Sequence, residues 1–142
     1  KKNISIEDIL KLTNLAENYD ISELVDNSLA KNKIKTLNIL NENNFSADDC
    51  ILILRTYLSK LKRLLKIKLE ELKNKDLDIA LSSIKPPIFW KDKELVKEQA
   101  RKWNYEKIQE LITKTNKVEL EVKKNPTSSP VLVLNFIFES VA

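Results

Sequence analysis

The stretch Ile84-Lys-Pro-Pro-Ile-Phe-Trp-Lys-Asp-Lys-Glu-Leu-Val-Lys-Glu-Gln-Ala-Arg-Lys-Trp103 contains the only adjacent prolines and both tryptophans of the chain. Pro86 and Pro87 fix their own φ angles, and Pro86 also disfavours the helical region for the residue before it. One helix must therefore end near Ile84, and the next can begin only after Pro87. The stretch predicts a corner between two helical halves of the protein.

Apolar residues recur at helical spacing after this corner. Val96, Ala100 and Trp103 form one stripe, and Ile88 and Phe89 provide an apolar entry to the helix. Large aromatic side chains in such a pattern usually belong to a core. The two tryptophans are therefore interpreted first as buried anchors.

Glycine and histidine are both absent from the 142 residues, and Cys50 is the only cysteine. Phosphate-binding loops, dinucleotide fingerprints and nucleophile elbows need backbone that favours glycine. Ser-His and Cys-His nucleophile systems and the usual zinc sites are excluded as well. The acidic residues are spread along polar faces, where nothing raises their pKa. We therefore expect no enzymatic activity, no catalytic or metal-binding residues and no cofactor.

Several features favour a cytoplasmic protein. Cys50 cannot form an internal disulfide, and we interpret it as a small core residue. The sequence shows neither a secretory leader nor an apolar run of membrane-spanning length. Because the chain begins with Lys1 and contains no methionine, we also expect it to be a piece of a longer polypeptide.

Capping residues and apolar spacing predict an all-α fold, a compact bundle of about six or seven helices with short loops. The predicted helical segments are Ser5–Leu15, about 20–29, Lys33–Glu42, Ala47–Lys73, Asp76–Ile84, a helix from after Pro87 to Trp103, a helix from Asn104 to about Lys123, and Val131–Val141. The last segment has strand propensity. We predict a helix there, since a lone strand would leave buried backbone groups unpaired.

The helix Ala47–Lys73 is the longest and is the expected central strut. Its predicted apolar seam consists of Ile51, Leu54, Leu58, Leu61, Leu65 and Leu72, and Cys50, Tyr57 and Leu64 are predicted to widen the seam to one side. The shorter helix Lys33–Glu42 is expected to bury Ile34, Leu37 and Leu40.

The net charge of +4 permits contact with nucleic acid without requiring it. Basic residues lie between the apolar positions of the long helix: Lys60, Lys62, Arg63, Lys66 and Lys68. They form either a solvated face or a patch for an acidic partner or for phosphates.

The chain resembles the C-terminal region of the delta subunit of bacterial DNA polymerase III, a clamp-loader subunit. Two prolines, an aromatic pair and a basic residue, followed by a Gln-x-Arg-x-Trp element, are typical of that family. Asn27 stands where the family has alanine after its Leu-Val-Asp element. The matching segments are Pro86–Lys91, Gln99–Asn104, Ile4–Ile9, Tyr19–Asp26, Ile51–Leu58, Leu64–Lys68 and Glu119–Lys123.

The resemblance implies a collar domain over residues 19–142. Residues 1–18 would be the last helix and linker of a preceding AAA+-like lid domain. In the family, the collar packs against gamma/tau-type and delta-prime-type subunits, and the complex loads the sliding clamp onto primed DNA for the polymerase III holoenzyme. Clamp binding belongs to upstream domains. The resemblance implies a bacterial cytoplasmic protein without a membrane partner.

Two sets of residues are candidates for these contacts. Ile53, Ile67 and Phe138 are expected to be exposed apolar positions at subunit interfaces, with a core role as the alternative. Lys123 and Lys124, beside the loop between the last two helices, are candidates for contacting primer-template DNA. A free-standing helical adaptor that binds RNA or a protein partner is the alternative function.

Overall fold

The computed structural model describes Ile6 and residues 20–142. In those residues it contains seven α-helices, two 3-10 turns and no β-strand. The helices are α1 (20–29), α2 (Lys33–Glu42), α3 (Ala47–Asn74), α4 (Leu77–Ser83), α5 (Lys93–Lys102), α6 (Tyr105–Lys124) and α7 (Ser129–Val141). The predicted all-α fold is confirmed. The predicted helix Ser5–Leu15 and the domain boundary near residue 18 lie outside the described residues, apart from Ile6.

The long helix α3 is the central strut, as predicted. Ser46 and Asp49 form the capping box at its start, with Ser46 N donating to Asp49 Oδ2 at 2.8 Å and Asp49 N to Ser46 Oγ at 3.2 Å. The helix packs against α4, α5, α6 and α7. Its buried residues are Cys50, Ile53, Leu54, Tyr57, Leu61, Leu64 and Ile67.

The core-facing stripe of α3 includes Leu54 and Leu61 of the predicted seam, and it is rotated toward the side that Cys50, Tyr57 and Leu64 were predicted to form. Ile51, Leu58 and Leu65 are only half-buried, and Leu72 is exposed. The rotation follows from the neighbours: the ring of Tyr57 packs edge-on against Phe136 of α7, with ring centroids 4.9 Å apart.

The last segment is a helix, α7, as predicted despite its strand propensity. Val133, Phe136 and Ile137 point into the core. Tyr57 Oη donates a hydrogen bond to Ser28 Oγ in this interior, and burial raises the pKa of Tyr57 above its ordinary value. The interior thus joins α1, α3 and α7.

The helix α2 has the predicted bounds, but its predicted buried face is only partly right: Leu37 and Leu40 are half-buried, and Leu40 packs against the core. Ile34 is 75% exposed, whereas Thr36 and Ile39 are buried. Thr36 Oγ1 donates to the carbonyl of Asn32 at 2.7 Å, which satisfies the hydroxyl and lets it enter the interior.

A set of three hydrogen bonds, here called the clasp, joins α5 to the C-terminal end of α1. It consists of Gln99 Nε2 to the Asp26 carbonyl at 2.9 Å, Lys102 Nζ to the Ala30 carbonyl at 2.7 Å and Trp103 Nε1 to the Leu29 carbonyl at 2.7 Å. The last carbonyl groups of a helix have no partner within it. The clasp supplies partners for the carbonyl groups of Leu29 and Ala30, and a second donor for that of Asp26, which also accepts from Ala30 N at 3.0 Å. These donors lie more than 70 positions away in the sequence.

Lysines occupy the backbone positions where helices often end with glycine. Lys31 after α1 has φ 57° and Lys75 after α3 has φ 55°. At Lys31 the turn is a Schellman motif, in which Asn32 N donates to Asn27 O at 2.9 Å and Lys31 N to Ser28 O at 3.0 Å. The Lys31 ammonium also lies 4.6 Å from the centre of the Trp103 ring.

No helix in the described part of the chain combines the length and the apolar character needed to cross a membrane.

Replacement of Lys75 by glycine is expected to stabilise the protein. The left-handed conformation costs a residue with a side chain roughly 1 kcal/mol, and glycine adopts it freely. We expect Lys75→Gly to raise the free energy of unfolding by about 0.5 kcal/mol or more in urea denaturation. The matched control, Lys73→Gly within the last turn of α3, should lower it by up to about 1 kcal/mol. A loss of stability in Lys75→Gly would contradict the assignment.

Candidate functional site

A pocket of about 520 Å³ lies between the basic side of α3 and the corner that follows α4. We call it the basic pocket. Its lining residues are Ser59, Lys60, Lys62, Arg63, Lys66, Ile84, Lys85, Pro86, Pro87, Ile88, Phe89 and Asp92. Side chains that are far apart in sequence therefore meet at one surface, and most of the charged ones are cations.

The corner holds its position because its two ends are anchored. Ile84 is buried at the end of α4, and Ile88 is half-buried against the core. Pro86 and Pro87 cannot join a helix in this position, and the backbone bends at Lys85 and Pro86, where the peptide bond between the two residues is cis. The segment between α4 and α5 thus forms one wall of the pocket and directs Lys85 to the surface.

Lys60 forms the polar floor of the basic pocket. Its Nζ lies 2.7 Å from Asp26 Oδ1 and donates to the carbonyl and the hydroxyl of Ser22 at 3.1 and 2.8 Å. Burial lowers the pKa of Lys60, and the neighbouring Asp26 carboxylate partly offsets that effect. The charge of Lys60 is therefore balanced by Asp26, and the side chain has a structural role. The other cations of the pocket are the ones available to bind a ligand.

The remaining cations carry the positive charge of the pocket. Lys62, Lys66 and Lys85 form no ion pair within the described residues. The buried Nε atom of Arg63 has no hydrogen-bond partner there either. Asp92 is the single carboxylate in the lining. The pocket thus has an excess of donors and favours an anionic ligand.

An exposed aromatic pair adjoins this charge. Phe89 lines the pocket and Trp90 follows it, with ring centroids 6.0 Å apart. Trp90 is 72% exposed, and the Lys91 ammonium lies 5.5 Å from the centre of its ring. An exposed indole with an ammonium group beside its ring combines a stacking surface with a phosphate-binding donor, and proteins that bind single-stranded nucleic acid use both kinds of group.

The prediction that both tryptophans are core anchors is half right. Trp103 is buried, but Trp90 lies in the 3-10 turn Trp90–Asp92, before α5 begins. It is therefore outside the helical stripe formed by Val96, Ala100 and Trp103. Trp90 lies only three residues after Pro87, and this short distance was the sign in the sequence that Trp90 precedes the helix.

The interface candidates Ile53 and Ile67 are not exposed, so that prediction is wrong. Both lie in the core of the bundle, because α3 has packed neighbours on several sides. A substitution at either position would test folding instead of binding. Phe138 is 43% exposed on the outer side of α7, as an interface candidate must be.

The DNA-contact candidates Lys123 and Lys124 are exposed in the last turn of α6. Lys123 Nζ lies 3.5 Å from Glu119 Oε1, and Arg55 Nε lies 3.4 Å from the same oxygen. Neither lysine lines the basic pocket.

No arrangement of three His, Cys, Asp or Glu residues suited to a metal ion occurs in the part of the chain that the structure describes.

Comparisons with protein-family models, with curated proteins and with solved structures find no match to this chain.

Removal of the Asp26 carboxylate is expected to destabilise the protein through Lys60. Asp26→Asn leaves the buried ammonium without its counter-charge, which should cost roughly 3 kcal/mol in urea denaturation. The double variant Asp26→Asn/Lys60→Met removes both charges and should recover most of that loss. If the stability lost in the double variant equalled the sum of the losses in Asp26→Asn and Lys60→Met, the ion pair would have no role in holding α1 to α3.

Proposed function

We propose that this chain is a non-catalytic collar domain of a clamp-loader delta-type subunit, which works by packing against sister subunits in the bacterial cytoplasm. The observation that carries the proposal is the clasp. Gln99 and Trp103, which belong to the element that resembles the delta subunit, both bond to the end of α1. Two residues of that element thus have a structural task in this chain, which supports the proposal.

The clasp also suits the role of such a domain. It ties α1 to α5 through one neutral amide, one ammonium and one indole, all of which donate to main-chain carbonyls. Bonds to carbonyl groups restrain the backbone itself, and α1 is accordingly fixed to the bundle. A collar that assembles with other subunits needs such a rigid body, because ordering a loose helix on binding would weaken assembly.

The basic pocket supports a contact with nucleic acid within this function. Lys62, Lys66 and Lys85 supply phosphate-binding charge, and Trp90 supplies a surface on which a base can stack. These groups recognise the backbone and the π-face of a base, so the contact is independent of sequence. It would hold a strand of primed DNA against the collar.

Assembly of the complex tests the proposal most directly. Full-length protein should co-elute on size exclusion with purified gamma/tau-type and delta-prime-type subunits of the same organism. A helical adaptor that acts alone would elute separately from them. Co-elution that depends on a folded chain, checked by circular dichroism, is the expected result.

Substitutions in the basic pocket and at the neighbouring Trp90 should weaken DNA binding in two separable ways. Measured by fluorescence anisotropy on labelled single-stranded and primed oligonucleotides, Lys62→Ala/Lys66→Ala should reduce the slope of log K against log salt by roughly 1.4, about 0.7 for each lost phosphate contact. Trp90→Ala should weaken binding about tenfold, since stacking on one base is worth roughly 1–3 kcal/mol.

The matched control for the two lysines is Lys33→Ala/Lys35→Ala. Both residues are exposed on α2 and neither lines the pocket. An equal change of slope in the control would show that only total charge matters. Binding of Trp90→Ala equal to that of the wild type would contradict stacking.

Lys123 and Lys124 remain a separate candidate for phosphate contact. Because Lys123 lies near Glu119, part of its charge is offset. If these lysines contact primer-template DNA, Lys123→Ala/Lys124→Ala should lower the salt slope of the assembled loader by up to about 1.4. An unchanged slope would remove them from the interface.

A further inference from the structure

The basic pocket carries more positive charge than one internal phosphate of a nucleic-acid strand can balance. Four cations of its lining form no ion pair with a described residue: Lys62, Arg63, Lys66 and Lys85. Lys60 is already balanced by Asp26, and Asp92 is the only carboxylate of the lining. Four cations against one carboxylate leave an excess of three positive charges.

The cations reach the pocket from two walls. Lys62 and Lys66 are four residues apart on α3, so their side chains lie on the same side of that helix. Lys85 belongs to the proline corner, which forms the other wall. Donors on two walls approach a ligand from different directions. Such an arrangement suits a group with acceptor oxygens on several sides.

Arg63 adds a further donor near the floor of the pocket. Its Nε atom is buried and has no hydrogen-bond partner among the described residues. Burial and the Asp26 carboxylate have the largest effects on the pKa of Lys60, and the charges of Arg63 and Asp92 have smaller ones. Both of these charged groups therefore lie near the Lys60 ammonium. A guanidinium in this position is well suited to phosphate oxygens.

Phe89 places an aromatic surface at the same pocket. It is part of the lining and is 58% exposed, and the exposed ring of Trp90 lies 6.0 Å from it between centroids. In a nucleotide, the base is joined to its phosphate through a single sugar. A phosphate in the pocket would therefore bring its own base to these rings, on which bases of any identity can stack.

We propose that the basic pocket binds the terminal phosphate of a nucleotide as a dianion, with the adjoining base against Phe89 or Trp90. A terminal phosphate carries close to two negative charges at neutral pH and has three acceptor oxygens, whereas an internal phosphate carries one charge. The nucleotide is the 5′ end of a nucleic-acid strand or a free nucleoside 5′-phosphate, because both offer the same chemistry. This inference rests on the phosphate-binding role proposed above for the basic pocket, and not on the collar function.

The first test compares two short single strands of the same sequence, one with a 5′-phosphate and one with a 5′-hydroxyl group. Both carry a fluorescent label at the 3′ end, and anisotropy measures their binding to the full-length protein. The 5′-phosphorylated strand should bind at least about tenfold more tightly at neutral pH, because it adds charge-assisted hydrogen bonds.

The same pair of strands tests the charge of the bound phosphate. The second pKa of a phosphate monoester is about 6, so the advantage of the 5′-phosphate should shrink severalfold between about pH 7.5 and about pH 5.5. Histidine, the side chain that ordinarily titrates in this interval, is absent from the chain. A ratio that stays constant over this interval would contradict recognition of the dianion.

Substitutions in the lining should change this preference in opposite directions. Lys85→Ala removes the cation of the corner wall and should reduce the preference for the 5′-phosphate severalfold. Asp92→Asn removes the only carboxylate and should tighten binding of the 5′-phosphorylated strand severalfold, a gain that a misfolded protein would not show. The matched control is Lys93→Ala, at an exposed position of α5 outside the lining, and it should keep the wild-type preference.

Competition with unlabelled adenosine 5′-monophosphate and with inorganic phosphate separates the sources of the phosphate. Displacement by the nucleotide at concentrations similar to those of the unlabelled 5′-phosphorylated strand assigns the pocket to a free nucleotide. Displacement by the strand alone assigns it to a strand end. Inorganic phosphate that competes as well as either would overturn the contact with the base.

The remaining outcomes separate this inference from the proposed function. Equal binding of the two strands by the wild type would overturn recognition of a terminal phosphate and leave the general contact with nucleic acid standing. If neither the 5′-phosphorylated strand nor labelled adenosine 5′-monophosphate binds, this inference and the proposed contact with DNA both fail. Co-elution with sister subunits is a separate measurement, and its failure would remove the collar function alone.

Discussion

The clasp between α5 and the end of α1 is the contact on which the rest of the structure depends. Without the clasp the carbonyl group of Leu29 would need water, yet Leu29 and Trp103 are both buried. An unpaired buried polar group costs roughly 1–3 kcal/mol, so each bond protects a region that cannot be solvated. The sequence separation is large, and the clasp accordingly closes the bundle.

The glycine-free composition explains the form of this helix end. Lys31 adopts the left-handed conformation and so turns the chain away from α1. Its ammonium then lies over the Trp103 ring, so the residue that bears the backbone strain also contacts the clasp. A glycine there would relieve the strain and lose the cation–π contact. The two effects oppose each other, whereas at Lys75 only the strain is present.

Much of the fold followed from local chemistry in the sequence. Capping residues such as Ser46, Asp76 and Asn104 fixed the helix starts, because each side chain bonds to backbone within three residues of itself. The faces that the helices bury were harder to predict. Ile53 and Ile67 lie in the core, and Ile34 lies outside it, because several apolar stripes on one helix leave the choice to its neighbours. The basic residues of α3 were recognised, but their meeting with Lys85 and Phe89 depends on the path of the proline corner.

The two tryptophans occupy opposite environments, and the difference makes them optical reporters. Trp90 faces solvent, so its fluorescence should lie at longer wavelength and respond to dissolved quenchers. Trp103 is enclosed and hydrogen-bonded, and its emission should be shielded from them. One unlabelled sample therefore carries a signal for events at the corner and a second signal for the integrity of the interior.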